Sequence, residues 1–284
     1  MNTLHKLSEL RAAIRQQRQA GRTVALVPTM GNLHAGHIQL VKRAHELADY
    51  VVTSIFVNPM QFGANEDFDA YPRTLEKDQE KLVNAGNHLL FAPSVKEVYP
   101  NGLEAQTEVS VPFLTELHCG ASRPGHFTGV ATVVSKLFNM VQPDFAVFGE
   151  KDFQQLAVIR KLTRDLCFPI KIEGVATLRE SDGLAMSSRN GYLSAEERSI
   201  APRLYQILRQ LADAIRNGER NYEQLAEAGR TLLLQNGFRP DYFNIVNSLT
   251  LQPAAPEDQD ITLLVAAYLG TTRLIDNINL KPGL

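Results

Sequence analysis

The sequence predicts an α/β fold in which a doubly wound parallel sheet is followed by a second, smaller α+β domain. Apolar runs rich in β-branched residues alternate with segments of helical spacing over the first two thirds of the chain. These runs are apolar at consecutive positions, which is typical of parallel strands that are buried on both faces. We therefore predict a Rossmann-like sheet with strands at 24–27, 50–57, 87–92, 144–148 and 170–175.

The segments between these strands have the spacing of helices that are apolar on one face. They predict helices at 4–20, 35–48, 74–85, 128–141 and 153–166. After about residue 176 the pattern changes to a long amphipathic helix over 204–215, a helix over 222–235 and strands at 242–246 and 261–268. The predicted domains are therefore 1–176 and 177–284.

Composition and charge argue against several classes of protein. The chain has 284 residues, 44% of them hydrophobic and 21% charged, and a net charge of −2, which argues against a broad basic surface for nucleic acid. No apolar stretch approaches the ~20 residues of a membrane span, and the N-terminus leads into an amphipathic helix instead of a signal peptide. Cys119 and Cys167 give no disulfide framework, so we expect a cytoplasmic protein.

The segment 24–37 is the part of the sequence that says most about function. A short strand leads through a turn at Gly31 into a helix whose first turn carries His34 and His37 on one face. The start of a helix also presents unpaired backbone N–H groups and the positive end of the helix dipole. Together these features predict a site that holds a phosphate group.

The histidine pair has other interpretations that spacing alone leaves open. A His-x-x-His pair is often a surface pair or a helix cap, and a zinc site would need a third ligand, for which the sequence offers no recognisable spacing. The phosphate-binding patterns Gly-x-x-x-x-Gly-Lys-Ser/Thr and Gly-x-Gly-x-x-Gly are both missing from the sequence.

Two further clusters carry groups suited to polyanions. Lys151 follows a predicted strand directly and could neutralise phosphate charge, or it could be a solvated surface lysine; Asp152 and Gln155 beside it fit a helix-capping pair. The segment 186–189 (Met-Ser-Ser-Arg) combines two hydroxyls and a guanidinium at the predicted domain boundary. It could clamp a polyanion or be a polar linker before the next helix, which begins at the capping box of Ser194.

Two loops complete the set of candidates. Gln61 lies at the end of a predicted strand, where its amide could bind a neutral polar ligand or serve as an ordinary loop amide. Arg123 and His126 flank the rigid Pro-Gly turn at 124–125, which places a cation and an imidazole on one loop.

Taken together, these segments resemble the pantoate–β-alanine ligase (pantothenate synthetase) family. The resemblance covers residues 24–193 in the family's order, with looser matches in the C-terminal third. Its long motifs lie at 28–37, 54–62, 71–74, 91–100, 122–130, 148–156 and 182–193. More distantly, the His34-x-x-His37 pair and 186–189 resemble the two signatures of class I aminoacyl-tRNA synthetases and related nucleotidyltransferases.

The resemblance implies ATP-dependent condensation of pantoate with β-alanine. Pantoate and ATP would give pantoyl adenylate and pyrophosphate, and the amine of β-alanine would then displace AMP to give pantothenate. It also implies a homodimer, a first domain that binds ATP and pantoate, a C-terminal lid domain, and Mg²⁺ that accompanies ATP. The acidic pair that the family can carry after Tyr-Pro-Arg-Thr is incomplete here, because one position is Lys77, which leaves Asp78 as the candidate metal ligand.

The resemblance also assigns roles to individual residues. His34, His37 and Lys151 would be catalytic, with His37 as proton donor; Gln61 and Gln155 would bind pantoate, and Arg123 and His126 would lie near the substrate entrance. The residues implied to bind ATP are Met30, Gly31, His34, His37, Gly149, Glu150, Lys151, Asp152, Leu178, Met186, Ser187, Ser188 and Arg189.

Two other functions remain to be weighed against the ligase. A nucleotidyltransferase would release a stable nucleotidyl product in place of AMP and an amide. A synthetase-like RNA-binding protein would bind tRNA, against which the acidic balance and the lack of an anticodon-binding extension argue.

Overall fold

The structure is a computed structural model that describes residues 1–63 and 66–281, and the chain folds into two compact units. The first unit comprises Met1–Glu116, Arg123–Glu150 and Gln155–Ala176. The second comprises Leu117–Ser122, Lys151–Gln154 and the chain from Thr177 onward. Residues 117–122 and 151–154, which the prediction assigned to the first domain, thus fold with the second unit.

The first unit contains a six-stranded parallel sheet with strand order β1-β4-β3-β2-β5-β6, which confirms the predicted fold class. All five predicted strands are present with small shifts at their ends. The strands are β1 (Asn2–Leu4), β2 (Val24–Thr29), β3 (Tyr50–Ile55), β4 (Leu89–Phe91), β5 (Phe145–Gly149) and β6 (Lys171–Val175). β1 was not predicted, because its three residues precede a helical pattern that reaches back to residue 4.

The carboxyl ends of β2 and β5 mark the point where the strand order reverses. β2 pairs with β3 along its whole length, but with β5 only at Ala25 and Leu26. Pro28, predicted to end β2, instead lies inside it, and its missing N–H is tolerated because β5 no longer pairs with β2 there. Parallel sheets bind ligands at such a reversal, beyond the carboxyl ends of the strands.

The predicted helices lie close to their predicted positions, whereas the short helices Val95–Val98 and Cys119–Ser122 were not predicted. Buried residues of β2 and β3 pack with Leu40, Val41 and Ala44 of α2 in one core of the first unit. The helices are α1 (Leu7–Gln19), α2 (Ala35–Leu47), α3 (Leu75–Asn84), α4 (Val95–Val98), α5 (Cys119–Ser122), α6 (His126–Val141), α7 (Phe153–Asp165), α8 (Ala195–Ile200), α9 (Arg203–Arg216) and α10 (Tyr222–Gln235). Short 3-10 helices occur at Pro59–Gln61, Glu150–Asp152 and Ser188–Tyr192.

The second unit packs α9 and α10 against an antiparallel sheet of β7 (Arg239–Asn247), β8 (Ile261–Leu269) and β9 (Thr272–Leu280), in that order. β7 and β8 agree with the predicted strands, whereas β9 was not predicted. Its sequence mixes Asp276 and Asn277 among apolar residues, and both polar side chains are nevertheless buried. Within residues 1–63 and 66–281, no helix combines the length and apolar character that crossing a membrane requires.

Candidate active site

His34 and His37 form the N-terminal cap of α2, directly after the turn that follows β2. The Nδ1 atom of His37 accepts the backbone N–H of His34 at 3.2 Å, and Nδ1 of His34 accepts the N–H of Gly36 at 3.2 Å. The two rings lie 4.1 Å apart between centroids. Because each Nδ1 accepts a hydrogen bond, each neutral ring carries its proton on Nε2. The pair is therefore a helix cap that also provides two Nε2–H donors.

Asp78 of α3 holds the turn that leads into this cap. Its carboxylate accepts the N–H of Asn32 and the N–H of Leu33, both at 2.8 Å, and the hydroxyl of Thr74 at 3.1 Å. Asp78 is fully buried, and Gly31 beside it adopts a left-handed conformation (φ 83°) that suits glycine. The start of α2 is thus fixed from outside the helix by one carboxylate.

These contacts leave Asp78 a poor candidate for a metal ligand. Asp78 is fully buried and its two oxygens already accept three hydrogen bonds inside the protein, which leaves little space or acceptor capacity for a hydrated cation. Across the described ranges, no three histidine, cysteine or acidic side chains are grouped in a way that could hold a metal ion. Asp78 therefore does not fit direct ligation of Mg²⁺, and its contacts indicate a positioning role.

Gln61 ends the 3-10 helix Pro59–Gln61 after β3 and is buried in a polar network. Its Oε1 accepts from Nδ2 of Asn58 at 3.2 Å, and its Nε2 lies 3.0 Å from the sulfur of Met30. Asn58 is fixed in turn, since its Oδ1 accepts the hydroxyl of Tyr99 at 2.7 Å and its Nδ2 also donates to the carbonyl of Gly129 at 3.0 Å. The amide is thereby oriented beside Met30, at the carboxyl end of β2.

Arg123 and His126 contact the backbone of Gln61. Nδ1 of His126 donates to the Gln61 carbonyl at 2.8 Å, and a guanidinium nitrogen of Arg123 reaches the same oxygen at 3.3 Å. Arg123 also forms a two-pronged ion pair with Glu66, at 2.5 Å for both bonds. Burial raises the pKa of Glu66, but the Arg123 guanidinium outweighs it and the net pKa is lowered. These contacts give the predicted entrance residues a role in positioning Gln61.

Gly129 of α6 is where the helix backbone meets the Met60–Gln61 segment. A Cβ atom at this position would lie 2.3 Å from the Met60 carbonyl oxygen and 2.7 Å from the Gln61 nitrogen. Both neighbours are backbone atoms, so they can yield only if the 3-10 helix moves. Sequence reasoning included this glycine in a motif but gave it no role, because the contact joins segments about 70 residues apart.

We expect Gly129→Ala to displace the 3-10 helix that carries Gln61 and to lower the free energy of unfolding by about 1–3 kcal/mol. Urea denaturation measures the effect. Asn139→Ala is the control, because Asn139 lies exposed on the same helix and its amide donates to the Ser135 carbonyl. Wild-type stability in Gly129→Ala would show that this contact does not constrain the Gln61 segment.

The end of β5 contributes the remaining predicted residues of the first unit. Gly149 is the last residue of β5 and pairs with Val175 of β6, and Glu150 opens the following 3-10 helix. Gln155 lies half-buried in the first turns of α7. Gly149 therefore lies at the carboxyl edge of the sheet, and Met30 and Gly31 lie at the same edge after β2.

Lys151 and Asp152 fold with the second unit, where Lys151 is half-buried and Asp152 is exposed. The backbone carbonyl of Lys151 accepts a hydrogen bond from Nδ2 of Asn277 at 2.9 Å. The Lys151 ammonium forms no ion pair with any residue that the structure describes. The ammonium acts on the buried Asp276 carboxylate only through longer-range charge, and a half-buried cation without an ion-pair partner in the described ranges is suited to a ligand that brings negative charge.

Residues 178–186 form a tight antiparallel ribbon, and a 3-10 helix follows it. The segment 186–189, predicted as clamp or linker, lies where the two meet. Met186 donates its N–H to the carbonyl of Leu178 at 3.0 Å. Gly183 turns the ribbon with φ 95°, and a Cβ there would lie 2.9 Å from the ring of Tyr205. Oγ of Ser187 caps the 3-10 helix that contains Ser188 and Arg189. This ordered structure argues against a plain linker, while the predicted capping box at Ser194 is confirmed.

Known proteins resemble this chain over its whole length. The sequence model of the family described as pantoate-beta-alanine ligase matches residues 2–279. Pantothenate synthetase from Hahella chejuensis is 68% identical over 283 residues and all of both chains, and that from Marinobacter nauticus is 65% identical over 99% of both.

Solved structures agree in fold. Pantothenate synthetase from Thermus thermophilus is 48% identical with a TM-score of 0.92, over 98% of this chain and 99% of that one. Pantoate-beta-alanine ligase from Francisella tularensis, solved with beta-gamma ATP and beta-alanine, is 34% identical with a TM-score of 0.80, over 98% and 97%. The chain therefore belongs to the pantoate–β-alanine ligase family of carbon–nitrogen ligases.

Proposed function

We propose that this protein condenses pantoate with β-alanine at the expense of ATP, by way of an enzyme-bound pantoyl adenylate. In the first step, a carboxylate oxygen of pantoate attacks the α-phosphorus while the bond to the β-phosphate oxygen breaks and pyrophosphate leaves. In the second step, the neutral amine of β-alanine attacks the acyl carbon, the bond to the AMP oxygen breaks, and the amine loses a proton. The products are pantothenate, AMP and pyrophosphate.

The observation that carries the proposal is the capping pair of His34 and His37. Two Nε2–H donors stand at a helix N-terminus, beyond β2 and beside the reversal of the strand order. Such a place favours an anion, because the helix dipole and the ring N–H groups have the same sign. Because Nδ1 of His37 accepts a hydrogen bond, the neutral ring is favoured. We therefore propose that His37 donates a hydrogen bond from Nε2, in place of the proton donation that the family resemblance implies.

The first step brings the pantoate carboxylate and the phosphates of ATP together. Their mutual repulsion must be offset by positive groups of the protein that interact more strongly in the transition state. Lys151 supplies such a group at the α-phosphate. Ser187, Ser188 and Arg189 hold the β- and γ-phosphates and then the departing pyrophosphate, and the planar guanidinium suits a polyphosphate. These residues all fold with the second unit.

The remaining contacts bind the nucleotide and pantoate. Gln61 and Gln155 bind the hydroxyls and carboxylate of pantoate through neutral amides, which leave the nucleophile's charge intact. Arg123 and His126 act on pantoate through Gln61. The nucleotide is lined by Met30, Gly31, Gly149, Glu150, Leu178 and Met186, with Asp152 near the ribose.

Mg²⁺, a homodimer and a cytoplasmic location are parts of the same proposal. Mg²⁺ would accompany ATP and offset phosphate charge, with no direct ligand assigned in this chain, since Asp78 does not fit as one. The first unit carries the groups proposed for pantoate, and the second unit carries cationic and hydroxyl groups suited to phosphates. The pantoate-beta-alanine ligase from Francisella tularensis, solved with beta-gamma ATP and beta-alanine, covers nearly the whole chain, which supports an ATP-dependent reaction with β-alanine.

Isotope exchange between pyrophosphate and ATP tests the proposed reaction. We expect exchange that requires pantoate but not β-alanine, followed by AMP and amide in equal amounts when β-alanine is added. Exchange without pantoate would contradict the order of steps. A stable nucleotidyl product in place of AMP would indicate the nucleotidyltransferase alternative, which the relatives do not favour.

We expect Gln61→Ala to weaken pantoate binding about tenfold while ATP binding stays unchanged. The variant removes an amide that Asn58 holds in place, with a cost of about 1 kcal/mol for each neutral hydrogen bond lost to the ligand. Calorimetric titrations with pantoate and with ATP measure the two affinities. Equal affinity of variant and wild type for pantoate would mean that the pantoate pocket lies elsewhere.

A further inference from the structure

The backbone of Lys151 is held by β9, a strand more than a hundred residues away in sequence. Nδ2 of Asn277 donates to the Lys151 carbonyl at 2.9 Å, and Asn277 is 8% exposed. This bond anchors the start of the short segment 151–154. At the end of the segment, the Gln154 amide accepts from the backbone N–H of Cys119 at 3.0 Å and donates to the carbonyl of Leu117 at 2.6 Å.

Asn277 is itself fixed by a buried ion pair. Its backbone N–H donates to Oδ1 of Asp276 at 2.8 Å, and Asp276 is bound by both terminal nitrogens of Arg179, at 2.6 and 2.9 Å. Burial raises the pKa of Asp276, while the Arg179 bonds and the charge of Lys151 oppose that shift. The pair is thus a buried, two-pronged contact of the kind that fixes geometry more than it adds stability.

The same arginine belongs to the ribbon that carries the phosphate-binding residues. Arg179 follows Leu178, forms a bridge with Ala185 across the ribbon and donates to the carbonyl of Gly183 at 3.2 Å. Its guanidinium stacks 3.5 Å from the ring centroid of Tyr205. The ion pair with Asp276 therefore connects this ribbon to β9, and Asn277 connects β9 to Lys151.

We infer that Asn277, fixed by the Arg179–Asp276 pair, is a positioning residue that sets the place of Lys151 relative to segment 186–189. The inference rests on the proposed role of Lys151 in adenylation. A cation that stabilises the transition state must be placed to within a fraction of an ångström, and a lysine on a short segment without this bond would lose that placement. Asn277 touches neither ATP nor pantoate in this assignment.

Asn277→Leu tests the inference, because leucine has a similar size and lacks the amide. We expect kcat for pantoate-dependent ATP–pyrophosphate exchange to fall about tenfold, with KM for ATP nearly unchanged. The loss should vanish when the same change is made in the variant that already carries Lys151→Ala, since the two residues act through one ammonium. A merely structural role would give the same loss in both backgrounds.

Asn279→Ala is the matched control, because Asn279 lies exposed on the same strand and bonds to Ser248, Asp260 and Thr262. Its exchange rate should equal that of the wild type. If Asn277→Leu does not fold, Asn277→Ala is taken through the same pair of backgrounds. Equal losses in both backgrounds, or no loss in a folded variant, would overturn the inference, whereas exchange without pantoate would overturn the proposed reaction instead.

Discussion

Lys151→Ala should slow pantoate-dependent ATP–pyrophosphate exchange by about 10²-fold or more, while KM for ATP changes little. The ammonium is half-buried and without an ion-pair partner among the described residues, so its charge is available to a ligand. Negative charge on the α-phosphate oxygens concentrates as the pantoate carboxylate approaches. One cation whose interaction strengthens only in the transition state lowers the activation free energy by about 3 kcal/mol and adds little to ground-state binding.

The control for this experiment is Lys161→Ala. Lys161 lies on α7 and forms an ion pair with Asp165, so its charge is already compensated at the surface. Both variants lose one positive charge from neighbouring parts of the chain, but only Lys151→Ala should lose the exchange reaction. An exchange rate in Lys151→Ala within about twofold of wild type would remove Lys151 from the mechanism, and a large rise in KM for ATP would make it a ground-state binding residue.

The fold could be predicted from sequence because its strands and helices are long, periodic and locally punctuated. The five predicted strands of the parallel sheet are all present, since continuous β-branched runs have few alternatives to burial. β1 and β9 were not predicted, for different reasons. β1 has only three residues, and β9 buries Asp276 and Asn277, which break its apolar pattern. The buried carboxylate of Asp276 is compensated by Arg179, which lies about a hundred residues earlier in the sequence.

The histidine pair shows what spacing alone could and could not decide. Spacing alone allows a cap or a phosphate site at His34 and His37; the geometry confirms the cap and is compatible with the phosphate site that we propose. The rings cap α2 through Nδ1 and keep Nε2–H as a donor. The tautomer follows from two backbone bonds whose geometry cannot be read from a sequence pattern, although the three-residue spacing is the precondition for them.

Supporting residues were harder to predict than the groups they support. Gln61 stood out because it follows a predicted strand, but its supports Tyr99 and Gly129 come from distant segments with no pattern in common. Asn277 holds Lys151 across more than a hundred residues. Long-range contacts of this kind depend on how the elements pack, and local propensity carries no information about them.

Asp78→Asn should lower the free energy of unfolding by about 2–4 kcal/mol and raise KM for ATP. The amide keeps one acceptor oxygen, but its NH₂ group must face one of the two backbone N–H groups, of Asn32 or Leu33, that the carboxylate accepts. A charge-assisted bond of about 1.5–3 kcal/mol is lost and a buried donor is left without an acceptor. Because those N–H groups fix the turn before the cap, the His34–His37 pair should shift with them.

Asp49→Asn provides the matched control for this experiment. Asp49 also accepts a backbone N–H and a hydroxyl, both from Thr23, but it does so at the surface, so the same change should be far less destabilising. Urea denaturation separates the two variants, and a Mg²⁺ titration of the exchange reaction separates the two possible roles of Asp78. A positioning role predicts lost stability with an unchanged Mg²⁺ requirement. Full stability together with a raised Mg²⁺ requirement would instead make Asp78 a metal ligand, because a ligand contributes only when the ion is bound.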